Sequence, residues 1–345
     1  MSKRTLFLHI GAQRTATTSI QSFMHANIDA LMPLGIFYPL RVARHIEVMD
    51  QMMPRHPDGR PRPGVPARAP SDVAAEITRL ADKKQHPLDR VVLSDEGLSL
   101  RRDLKALVPL NDHFDVKVIF FLRRQDLWLE SWYFQNIKWQ WNRALAHLTF
   151  NQFLAGMEQF HWIDYDRHVT MLENCFGAEN VHLAVFEPGQ MPDGPVVEFC
   201  RLIGLNDLTG LAQPSHENAS LSPTMVEFLR HLPLDQANDG VRDSILAACR
   251  HVDSVVLGND QRSSERILGL QDRQKLLNLF EASNRRLARR YFNRDALFQE
   301  PLPGADVPLA KLRLPDNSAE LMGQLVGPLF EQLIATQTLQ RPAGK

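Results

Sequence analysis

Cysteine is scarce in this chain of 345 residues, with three in all, Cys175, Cys200 and Cys249. They are odd in number, far apart and without a C-x-x-C pair, which excludes a disulfide framework or a cysteine zinc cluster as an organising device. An excess of charge of one sign is missing as well: 39 Lys and Arg face 40 Asp and Glu, for a net charge of -1. No broad positive field is available to hold nucleic acid or a membrane surface non-specifically, so any bound anion must be met by cations gathered locally. Long apolar runs are absent too. The opening MSKRTLFLHIGAQ has an apolar stretch too short for a signal peptide, and no later segment approaches the length of a membrane span. The expectation is a cytoplasmic protein in a reducing compartment, with no nucleic-acid partner and no integral membrane segment; the N-A-S triplet at Asn218 then carries no weight as a glycosylation site. Oligomeric state is not legible.

What is present is a βαβ rhythm. Hydrophobic residues make up 44% of the chain, enough to bury a core. Thr5–Ile10, Arg90–Ser94, Val116–Leu122 and Val181–Phe186 are short apolar runs of the kind that form buried parallel strands. Segments of helical spacing lie between them: Thr17 to Leu31, Ser71 to Lys84 with Ser71 as its cap, Asp126 to Trp139, and Tyr165 to Phe176. Alternation of this kind predicts an α/β fold with a parallel sheet and helices on both faces. A stretch around Ile36 to Tyr38 reads as a further short strand. Residues 54–70 hold six prolines without periodicity and form a loop. After Leu205 the chain turns mostly helical, clearest over Pro223 to His231, Val241 to Val255 and Asp272 to Tyr291. The arginines Arg285, Arg286, Arg289 and Arg290 read as a solvated face.

The stretch LHIGAQRTATTSIQ, residues 8–21, carries the chemistry. A glycine after a first strand, a short loop and then a helix bring backbone N–H groups and a positive helix end to a phosphate-like anion. Arg14 adds a fixed charge, and Thr15, Thr17, Thr18 and Ser19 add hydroxyl donors. The nucleotide-triphosphate loop G-x-x-x-x-G-K-[ST] is not matched, because its second glycine is Ala16 here and no lysine follows.

Residues 14–19, R-T-A-T-T-S, resemble without a gap the phosphosulfate loop K-[TS]-G-T-T-[ST] of sulfotransferases that use 3′-phosphoadenosine 5′-phosphosulfate (PAPS). Arginine replaces the usual lysine, and alanine the usual glycine. Arginine still neutralises oxyanions but cannot give up a proton. Alanine adds a methyl where glycine allows close approach or a positive φ. The family binds the donor's 3′-phosphate with an arginine at a strand end and a serine eight residues on; Arg123 and Ser131 in VIFFLRRQDLWLESWYFQ keep that separation, and Arg124 misses it by one. Trp128, Trp132 and Phe134 read as helix packing.

The similarity is nearest to bacterial sulfotransferase-family proteins acting on carbohydrate or lipid-linked acceptors. It implies a P-loop-like three-layer sandwich with a central parallel sheet, and a single domain over 1–345 with a nucleotide-binding core at 1–205 and a helical extension at 206–345. It also implies PAPS as donor substrate, no metal, and a hydroxyl-bearing acceptor such as a carbohydrate, glycolipid or small molecule. Gly11, Arg14, Thr15, Ala16, Thr17, Thr18, Ser19, Arg123 and Ser131 would hold the donor. For the base, Glu96, its neighbour Asp95 and His45 stay open, with Glu96 favoured by its place after a strand at the carboxyl edge of the sheet. A nucleotide kinase or NTPase, or a homologue that binds nucleotide without transferring sulfate, are the rival readings.

Overall fold

The computed structural model describes residues 3–55, 64–213, 221–258 and 266–339. The chain forms two compact units interleaved in sequence. The first comprises Met1–Gln125, Gln159–Ser215 and Leu277–Pro301, and the second Asp126–Glu158, His216–Leu276 and Leu302–Lys345.

The first unit is built on five strands, β1 (Arg4–His9), β2 (Ile36–Phe37), β3 (Arg90–Ser94), β4 (Phe114–Leu122) and β5 (Val181–Val185), in the order β2-β3-β1-β4-β5. All neighbours run parallel. Because side chains alternate across a strand, each strand feeds two cores. Leu6, Leu8, Val91, Leu93, Val118, Phe120 and Leu183 join one core, against the helices Pro70–Asp82, Tyr165–Phe176 and Glu281–Phe292. Phe7, Val92, Ile119, Phe121 and Ala184 join the other, against Thr17–Ala26 and Pro195–Leu202. The result is an α/β three-layer sandwich, as the sequence predicts. Each fully buried Leu or Phe contributes about 1.5–3 kcal/mol, so the sheet's central strands are its most strongly held part.

Three boundaries depart from expectation. The helix expected over Thr17 to Leu31 is two, Thr17–Ala26 and Ile28–Leu31, because Asn27 turns its side-chain amide onto the carbonyls of Phe23 (2.8 Å) and Ala212 (2.9 Å). Ser71 is not a cap: the helix starts at Pro70, whose fixed φ and missing N–H suit a first helical position. The helix expected over Asp272 to Tyr291 is also two, Leu270–Asn278 and Glu281–Phe292. Of the proline-rich loop, residues 56–63 lie outside the described residues.

The second unit is helical. Gln125–Trp139 enters it at Asp126, and Pro223–Arg230, Asp239–Val255 and Gly327–Leu339 follow, the last two packed on each other. Ser222 and Asn238 cap their helices by accepting from the N–H groups of Met225 and Val241. A fully buried Arg273 ties the unit together through Asp126 and Glu130 (2.9 Å), and Glu130 also accepts from the N–H groups of Ile267 and Leu268 (2.7 and 2.8 Å). Burial still pushes the Glu130 carboxyl above its ordinary range. Among the described residues no helix is long and apolar enough to cross a membrane.

Candidate functional site

The carboxyl ends of β1, β3 and β4 lie side by side and carry the residues singled out in the sequence. After β1 the backbone turns at Gly11 (φ 35°), Arg14 (φ 69°) and Ala16 (φ 61°). A Cβ on Gly11 would stand 2.4 Å from Thr17 Cγ2, so this position is closed to other residues. Arg14 and Ala16 hold a left-handed conformation that costs a non-glycine residue about 1–2 kcal/mol. Ala16 thus stands where the resemblance places glycine, in a backbone conformation that glycine adopts freely. Thr15 Oγ1 donates to the Ala12 carbonyl, which braces the turn from within. The helix Thr17–Ala26 then begins with no side-chain cap and no acidic residue in its first turn, so its own residues do not offset the positive end of its dipole.

Arg123 follows β4 and reaches the same loop. Its Nη1 donates to the Arg14 carbonyl at 2.7 Å, and its guanidinium lies 5.6 Å from the Phe186 ring centre. The Arg123 peptide is fixed in turn by Tyr165, whose hydroxyl donates to its carbonyl and accepts from its N–H (3.2 Å). The two motifs, 109 residues apart, therefore meet. Arg124 points elsewhere: it is buried and donates to the Glu300 carbonyl at 2.9 Å. Ser131 is buried on the helix Gln125–Trp139, within the second unit. Trp128 and Trp132 are buried and stacked at 5.6 Å, the packing role expected of them.

At the end of β3 the acids divide. Asp95 is 3% exposed, accepts from the Gly97 N–H (3.0 Å) and from Arg44 Nε (2.7 Å), and serves as the cap of the turn Glu96–Leu100. Glu96 lies closer to solvent. Its Oε1 pairs with Arg44 Nη1 at 2.9 Å, its Oε2 accepts from Gln21 Nε2 at 2.7 Å, and each oxygen keeps a further lone pair. The Gln21 amide also donates to Ser94 Oγ (3.2 Å), which bonds His9 Nδ1 (2.8 Å). His45 is not placed to take a proton. Its Nδ1 accepts from the Ser94 N–H (3.1 Å) and its Nε2 donates to the Pro39 carbonyl (3.0 Å). Both nitrogens are spent on backbone, and burial pushes the ring down to about 4.

No family model matches the chain. An uncharacterized protein of Archaeoglobus fulgidus is 26% identical over 180 residues, which is 51% of this chain and 46% of the relative, so the chain spans under half of that protein's length. Among solved structures, a sulfotransferase from Alicyclobacillus acidocaldarius aligns at a TM-score of 0.41 and 16% identity, covering 70% of this chain and 100% of that one.

Arg44 and Gln21 escape a reading of the sequence, although both touch Glu96. Gln21 was legible in principle, since it lies one helical turn beyond Thr17 on the helix that the loop opens. Nothing local marks Arg44. The arginines of Glu281–Phe292 are paired at the surface, Arg286 with Asp166 (2.6 Å) and Arg289 with Asp295 (2.7 Å), which makes them a solvated face and not a site.

Proposed function

We propose that this chain is a cytoplasmic sulfotransferase that moves a sulfuryl group from PAPS to the hydroxyl of an acceptor. The observation that carries the reading is the bond from Arg123 to the Arg14 carbonyl, which sets the two anion motifs against one another at the ends of adjacent strands. The loop from Gly11 to Ser19 would hold the phosphosulfate through its backbone N–H groups, the hydroxyls of Thr17, Thr18 and Ser19, and Arg14. Arg123 would hold the 3′-phosphate. Glu96, at the end of the strand beside β1, would take the acceptor's proton as the acceptor oxygen bonds to sulfur and the bond from sulfur to the 5′-phosphate oxygen breaks. Arg44 and Gln21 would orient that carboxylate.

Thermal shift with adenosine 3′,5′-bisphosphate, against ATP plus magnesium, tests the donor site. At a hundred times its dissociation constant a ligand stabilises the fold by about 2.7 kcal/mol. Stabilisation by the bisphosphate and not by ATP is expected; the reverse result points to an NTPase and sinks the reading. Transfer of labelled sulfate to an acceptor panel then separates an active enzyme from a binding homologue. Arg14→Lys, which restores the residue of the resembled loop, reports whether arginine limits the rate.

A further inference from the structure

The parallel register sets His9, the last residue of β1, beside Ser94, the last of β3. Both side chains are fully buried, and His9 Nδ1 lies 2.8 Å from Ser94 Oγ. The backbone of Ser94 is held by His45: its N–H donates to His45 Nδ1 (3.1 Å), and its carbonyl accepts from the His45 N–H (2.9 Å). From the helix Thr17–Ala26, Gln21 brings Nε2 between Ser94 Oγ (3.2 Å) and Glu96 Oε2 (2.7 Å). The His9 ring lies against Phe121 and Phe199, with centroids 5.9 and 5.0 Å away. Its Nε2 is sealed and without a partner among the described residues, and a Cβ on Gly11 would stand 3.3 Å from it. His9, Ser94 and Gln21 thus form a continuous line from beneath the β1 loop to the Glu96 carboxylate.

Counting hydrogens gives that line a direction. A carboxylate only accepts, so the Gln21 nitrogen must face Glu96 and the amide oxygen must not. The second hydrogen of that nitrogen then points to Ser94 Oγ, and the serine has to turn its own hydrogen elsewhere. The Tyr38 hydroxyl near Ser94 spends its hydrogen on the Ala43 carbonyl (2.6 Å) and so does not compete for the serine lone pairs. His9 Nδ1 accepts the serine hydrogen when the ring is neutral and carries its proton on Nε2. Burial pushes this ring down to about 3, which keeps it neutral. The other tautomer would donate from Nδ1 to Ser94, release the serine hydrogen to turn towards Gln21, and oppose the amide direction that Glu96 needs. We propose that His9 and Ser94 are positioning residues for Glu96: His9, protonated at Nε2, takes the Ser94 hydrogen, and Ser94 in turn holds the Gln21 amide with its other hydrogen on the carboxylate. The unpaired Nε2–H beneath Gly11 is the cost of that direction. This deepens the proposed sulfotransferase reading and rests on it for the role of Glu96 as base, whereas the tautomer and the amide direction do not depend on the reaction.

Nitrogen–proton NMR correlation of the imidazoles in the full chain, with no nucleotide added, reads the tautomer; the His9 signals are those lost in His9→Asn. A neutral ring protonated at Nε2 is expected, and a proton on Nδ1, or a charged ring at neutral pH, overturns the proposal. Ser94→Ala removes the middle link, so the side-chain NH2 signals of Gln21 should move; signals that stay in place overturn it as well. In the sulfate-transfer assay His9→Phe keeps the bulk of the ring without its acceptor, and kcat should fall about tenfold with KM and bisphosphate affinity unchanged. His9→Asn sets a carboxamide oxygen near the place of Nδ1 and should recover most of that loss, a rescue that a merely loosened core would not show. Equal kcat in the parent and His9→Phe, or no recovery in His9→Asn, overturns the proposal. Should His9→Phe not fold, Ser94→Ala carries the same kinetic expectation. If no acceptor is sulfated the sulfotransferase reading fails, while the NMR spectra still decide the tautomer and the amide direction.

Discussion

At the end of β1 the chain turns through two non-glycine residues in left-handed conformation, and the backbone itself gives the loop its form. One strand over, at the end of β3, the backbone is ordinary and the work falls to side chains: Arg44 clasps Asp95 and Glu96, and Gln21 braces Glu96 from the other side. The first end is a shape and the second a balance of charges. A shape is sensitive to any added atom and indifferent to pH, whereas a charge balance tolerates changes of volume and yields to the loss of one partner. In the proposed reading, the contrast separates holding the donor from moving a proton.

The change expected to act most strongly falls on the side-chain end. Glu96→Gln should lower turnover by about 10²–10⁴-fold in a sulfate-transfer assay, with bisphosphate affinity retained. Loss of both together would show that the two ends are not separable. Arg123→Ala should weaken bisphosphate binding by roughly 10–100-fold, measured by calorimetry, with a smaller effect on turnover, because it removes a charge that the loop carbonyl positions. Gly11→Ala should destabilise by about 1–3 kcal/mol in urea unfolding, since its methyl meets Thr17 at a residue with positive φ. Substitution of similar size at Glu96 should leave the unfolding midpoint far less changed.

A pH series reads the buried histidines. Burial pushes His9 and His168 down to about 3 and His45 and His161 down to about 4. The unfolded chain, with ordinary histidines near 6.5, binds more protons throughout that interval. Stability should therefore hold above pH 6.5 and fall as the pH drops from about 6.5 towards 4; a denaturant midpoint flat across the window would contradict the burial described. The smallest effect is expected from Ala16→Gly. Relief of the left-handed alanine is partly offset by the greater freedom of glycine in the unfolded chain, which leaves a net gain under about 1 kcal/mol, seen as a rise in Tm.

The same contrast explains what could be read without coordinates. Strand cores such as Val91–Leu93 and Phe120–Leu122 announce themselves because burial on both faces demands continuous apolar residues, and the register then follows from parallel pairing. The β1 end was legible because a run of hydroxyls after a lone glycine has few other uses. The β3 end was legible only in part. Sequence offered Asp95, Glu96 and His45 as alternative bases, but which carboxylate turns outward, and that His45 spends both nitrogens on Ser94 and Pro39, depend on contacts between residues 6 to 75 positions apart. Arg44 was invisible for the same reason. The split at Asn27 turned on a carbonyl 185 residues away, which no local pattern encodes.

The helix Thr17–Ala26 opens at the loop after β1 and, at Gln21, grips Glu96. Four residues at 1.5 Å each set these two ends about 6 Å apart along a rigid rod. The helix is thus a ruler between the β1 loop and Glu96, and one inserted residue between Thr17 and Gln21 would turn the amide about 100° away from the carboxylate while leaving every residue of both ends intact.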